Sequence, residues 1–121
     1  MGPIWDFDWA FGYEGTQQHF SSATRPLFAY NPSVGTRFFS KMLTDPKIKT
    51  LVKQRWAAYK NTKLPELLAF VDTYSAFIEG ARNKDYQKWK RGNFNFKGDV
   101  ATLKTWLQNR AEYATTYIDR L

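Results

Sequence analysis

The stretch DVATLKTWLQNRAEYATTYIDRL, residues 99–121, decides the fold class. Val100, Leu103, Leu107, Arg110, Ala114, Tyr117 and Leu121 recur at alternating steps of three and four, which places them on one stripe of an α-helix. Trp106 and Tyr113 lie beside that stripe, and Asp99 stands where an N-cap is needed. An apolar stripe of that length must be covered, so the rest of the chain is expected to supply helices that pack on it.

The segments upstream meet that expectation. Leu64, Leu67, Leu68, Val71, Tyr74 and Ile78 repeat at helical spacing, and Ala81, Asp85 and Trp89 extend the pattern to about residue 90. Gly80 weakens such a helix by roughly 1 kcal/mol relative to Ala without ending it. The string Asn61-Thr62-Lys63-Leu64-Pro65-Glu66 reads as a stop and a restart, with Pro65 at the first helical position. Before it, Asp45 and Pro46 form a cap and a first turn for a helix over 46–60, with Ile48, Leu51, Val52, Arg55 and Tyr59 on one face. A short helix over 33–43 carries Phe38, Phe39, Met42 and Leu43. Residues 91–98 break the pattern and place Phe94 and Phe96 in a loop among Lys88, Lys90, Arg91 and Lys97. The expectation is therefore a mainly α chain. It is a small helical bundle of three substantial helices plus one short one over residues 33–121, preceded by an extended or irregular segment over residues 1–32. Trp56, Trp89 and Trp106 lie on or beside the stripes and are expected in the core or at an interface.

Composition bounds the rest. A chain of 121 residues is one domain at most, and 43% hydrophobic with 18% aromatic residues marks it as folded. It has no cysteine, which excludes disulfides, thiolate metal sites and a cysteine nucleophile. No apolar run approaches the roughly 18–20 residues of a membrane span, and no signal peptide is visible. The 18 basic residues exceed the 11 acidic ones, for a net charge of +7, but they are spread along the chain and read as solvated helix faces. His19 is the single histidine, in a region of turn chemistry, and is given no role.

The first dozen residues behave differently. In Ile4-Trp5-Asp6-Phe7-Asp8-Trp9 the side chains alternate, with Trp5, Phe7 and Trp9 on one side of an extended chain and Asp6 and Asp8 on the other. Two carboxylates that close repel unless a cation lies between them, and oxygen ligands suit a hard ion such as Mg²⁺ or Ca²⁺. An aromatic-rich strand with solvated carboxylates explains the spacing equally well.

The complete string Gly2-Pro3-Ile4-Trp5-Asp6-Phe7-Asp8-Trp9-Ala10-Phe11-Gly12 resembles the metal-motif segment of the spore-coat protein H (CotH) kinase-like family. Leu43-Thr44-Asp45-Pro46, Lys53-Gln54-Arg55-Trp56 and Leu103-Lys104-Thr105-Trp106-Leu107-Gln108-Asn109-Arg110 follow in the order typical of its helical tail. The resemblance implies an atypical, secreted or surface protein kinase, associated with spore coats. In it, Asp6 plays the part of the Asp in the Asp-Phe-Gly motif, with Asp8 as helper. It also implies Mg²⁺ (or Mn²⁺ or Ca²⁺) and ATP as cofactors of a complete parent, none of them firmly bound by these residues alone.

The chain opens inside a motif and shows no Gly-rich phosphate loop, strand lysine or catalytic loop. It reads as the C-terminal part of a longer protein whose N-terminal kinase lobe and protein substrate lie outside it, and it is expected to be inactive by itself. The competing expectation is a basic helical module that binds protein partners or single-stranded nucleic acid through Phe94 and Phe96. A third is a bundle that only stabilises or dimerises its parent.

Overall fold

A computed structural model describes Phe11 and residues 22–24, 34–92 and 94–121. Among these residues the regular structure is entirely helical: α1 (Val34–Met42), α2 (Pro46–Trp89) and α3 (Phe96–Asp119). The mainly α class is as expected. The strand-like reading of residues 4–9 lies outside the described residues.

Local chemistry explains where α2 begins and ends. The Asp45 side chain accepts a hydrogen bond from the Lys47 N–H at 2.7 Å, and Pro46 opens the helix at a position whose N–H has no intrahelical partner. At the other end Lys90 takes up the left-handed conformation (φ 52°, ψ 33°) and its N–H donates to the Tyr86 carbonyl at 2.9 Å.

Between these ends the structure corrects the sequence reading. The break expected at residues 61–65 is absent, and the second and third expected helices are one helix of 44 residues with Pro65 inside it. Pro65 removes one backbone hydrogen bond and costs about 3 kcal/mol. Pro65 is exposed, and so is Asn61, whose carbonyl loses its usual donor, so that group is open to water. The half-buried positions Trp56, Lys60, Leu64, Leu67, Val71, Ser75, Ile78, Arg82 and Tyr86 keep helical spacing straight through the proline. One continuous face therefore meets α3, and packing along its whole length outweighs the local penalty.

α3 runs antiparallel to α2, as four cross-links show. Lys53 Nζ donates to the Asp119 carbonyl at 3.0 Å, and Trp56 Nε1 donates to Thr115 Oγ1 at 3.0 Å. Lys104 pairs with Asp72 at 2.6 Å, and Lys97 reaches Glu79 at 4.0 Å. The deepest residues are Ala111, Ala114 and Ile118, all on α3, where two small side chains let the helices approach closely. Trp56 and Trp106 are half-buried as expected, but Trp89 is 59% exposed, because α2 runs on past the reach of α3.

The start of α3 is a second correction. The helix begins at Phe96, and its cap is Asn95, whose Oδ1 accepts from the Gly98 N–H at 3.0 Å. Asp99 falls in the first turn, where a carboxylate complements the positive end of the helix dipole. Phe96 is helical as a result and not part of the loop.

Candidate functional site

Asp6 and Asp8, the expected metal ligands, lie outside the described residues. Two nearby points of the chain, however, are placed against α3. The Phe11 ring, three residues after Asp8, meets the Trp106 ring edge-on at a centroid distance of 5.6 Å and an angle of 77°. Arg110 Nη1 donates to the Ala23 carbonyl at 3.1 Å in a partly buried contact, and its guanidinium also lies 5.6 Å from the Tyr113 ring centroid.

These contacts answer a question the sequence left open. Arg110 lies on an otherwise apolar stripe and needs a partner or a route to water. A backbone carbonyl of the N-terminal segment is one such partner, and a planar guanidinium can bond it while stacking on an aromatic ring. Trp106 and Arg110 are one helical turn apart, so one face of α3 holds both Phe11 and Ala23. Both belong to the segment 103–110 already singled out by its order behind the Trp-Asp-Phe-Asp string.

Among the described residues no three His, Cys, Asp or Glu side chains gather in a way that could hold a metal ion. On the hairpin Asp72 is engaged with Lys104, and Glu79 with Lys97. An apolar cleft of about 540 Å³ opens where the C-terminal end of α3 meets α2, lined by Leu51, Val52, Arg55, Trp56, Tyr59 and Ile118. Arg55, the other arginine on an apolar stripe, lies at that cleft and is itself exposed, so its charged end reaches water. No described helix is long and apolar enough to cross a membrane.

The described residues define a helical hairpin whose last helix also holds Phe11 and the Ala23 carbonyl. Comparison with protein families makes the assignment definite. The family model described as CotH kinase protein matches residues 1–114, and the chain belongs to that family. Comparisons with curated proteins and with solved structures find no match.

Proposed function

We propose that this chain is the C-terminal helical part of a CotH-type atypical protein kinase, and that α2 and α3 form a scaffold which positions the segment carrying Asp6 and Asp8. The observation that carries this reading is the grip of α3 on Phe11 and Ala23 through Trp106 and Arg110. Family membership over residues 1–114 supports a phosphotransferase setting.

In that role Asp6 is the main carboxylate toward a divalent cation, and Asp8 is its neighbour. Two oxygen donors without thiolate suit Mg²⁺ or Mn²⁺ better than a soft metal. When bound, such an ion neutralises nucleotide phosphates during transfer. The chain's own contribution is positional. Phe11 fixed on Trp106 limits where the backbone three residues earlier can go, and misplacement by about 1 Å can cost on the order of a hundredfold in rate. Phosphoryl transfer needs several groups held at once, so these residues alone are inactive, and the parent supplies the nucleotide-binding lobe and the protein substrate. A secreted or cell-surface location, as in a spore coat, accords with the family.

The test is Asp6→Asn in the full-length parent. Mg²⁺-dependent incorporation of phosphate from ATP should be abolished, and incorporation at the wild-type level would refute the assignment.

A further inference from the structure

The end of the hairpin where α2 turns into α3 touches the helix packing only through Arg82, Tyr86, Phe96 and Lys97, and it concentrates charge and exposed aromatic surface. Residues 82–99 contain six basic side chains (Arg82, Lys84, Lys88, Lys90, Arg91 and Lys97) against two acids, Asp85 and Asp99. Of Lys84, Lys88, Lys90, Arg91 and Lys97, only Lys97 reaches a carboxylate among the described residues, and that contact is 4.0 Å long. Trp89 is 59% exposed and Phe94 78% exposed.

The exposure of Phe94 is built in and does not arise from a frayed end. Arg82 lies between the Tyr86 and Phe96 rings, 5.2 and 5.3 Å from their centroids, and its Nη1 donates to the Phe94 carbonyl at 3.4 Å. Gly92 takes a positive φ of 85° that reverses the chain. The brace holds the Phe94 backbone, while its ring meets the Tyr86 ring edge-to-face at a centroid distance of 5.6 Å.

We propose that this tip attaches the protein to an anionic lipid bilayer surface, with Trp89 and Phe94 entering the interfacial layer and the surrounding lysines and Arg91 meeting the headgroups. Charge complementarity selects the occupant. A cluster of basic side chains beside a membrane is attracted to anionic lipid, and aromatic rings favour the headgroup level. The geometry suits a planar surface better than a nucleic acid strand. Of the cations, Lys97 lines a cleft, but Asp72 and Glu79 line it too, which disfavours a phosphate backbone there. The Lys88 ammonium also covers one Trp89 face, 4.6 Å from its centroid, where a base would stack.

The experiment is co-sedimentation of the 121-residue chain with vesicles of phosphatidylcholine alone and of phosphatidylcholine containing about 30% phosphatidylglycerol, an anionic fraction chosen to give the surface a negative potential. Binding should require the anionic lipid and should weaken as salt rises from about 0.1 M to 0.5 M. The double variant Trp89→Ala/Phe94→Ala, which leaves the net charge unchanged, should lower partitioning at least about tenfold, with helix content intact by circular dichroism. Lys88→Glu/Arg91→Glu should lower it as strongly. The matched reversal Lys47→Glu/Lys49→Glu, at the far end of α2, should lower it much less. Equal loss from the two charge reversals would mean net charge alone and would overturn the proposal, as would full binding by the aromatic double variant. Binding to an oligothymidylate in preference to the anionic vesicles, abolished by the same aromatic variant, would overturn it in favour of nucleic acid.

Discussion

Replacing Pro65 with alanine separates one long helix from two shorter ones by the sign of its effect. If α2 is continuous, Pro65 lies in its interior, where proline is about 3 kcal/mol less favourable than alanine. Two terms reduce the gain. Proline restricts the unfolded chain, which contributes up to about 1 kcal/mol that the variant forfeits. The freed carbonyl is exposed, so no buried group gains a partner. A net stabilisation of about 2 kcal/mol remains. For a domain of roughly 100 residues this corresponds to a rise in Tm on the order of 10 °C. If a helix instead ended near Asn61 and another began at Pro65, proline would be at its preferred first position, and alanine would be neutral or cost a few tenths of a kcal/mol. Urea and thermal melts followed by far-ultraviolet circular dichroism give the answer. An unchanged or lowered midpoint would refute the continuous helix.

Four further outcomes follow from the same structure. Ile118→Ala should cost about 2 kcal/mol in urea melts, near the low end for a buried aliphatic truncation, because Ile118 borders an open cleft that can close partly around the loss. Asn95→Ala should cost about 1 kcal/mol by removing the α3 cap. Gly98→Ala, which in an ordinary helix interior gains about 1 kcal/mol, should gain nothing, because the added Cβ falls against the Asn95 amide and displaces the cap. A Gly98→Ala variant more stable by the full amount would show that the cap contributes nothing. Trp106→Ala should alter the amide shifts around Phe11 and weaken any response of Asp6 and Asp8 to Mg²⁺ with ATP, whereas Trp89→Ala should leave that response unchanged. The same response in both variants would remove the positional role of α3.

The candidate site was legible in part. Trp106 and Arg110 stood out in the sequence, one as a large aromatic beside a stripe and the other as a charge upon it, which is a signal that something polar must approach. Nothing in the sequence named Phe11 or the Ala23 carbonyl as the groups that approach, because a backbone carbonyl leaves no mark on residue type. The Arg82 brace between Tyr86 and Phe96 was likewise invisible, since its members are four and fourteen residues apart and belong to two helices.

The sequence by itself determined the helical class, the Asp45–Pro46 start of α2, and part of the apolar stripes, since Leu51, Tyr59 and Tyr74, read onto them, are exposed. These depend on capping and on a 3.6-residue period, which act within one or two turns. The tertiary structure alone decided that α2 runs through Pro65, that α3 begins at Phe96, that Trp89 lies beyond the reach of its partner, and that α3 holds Phe11 and Ala23. The first of those outcomes sets a local cost, that of a proline inside a helix, against packing summed along a neighbouring helix. The local cost can be read from a residue and its near neighbours. The packing that outweighs it exists only once α2 and α3 lie side by side.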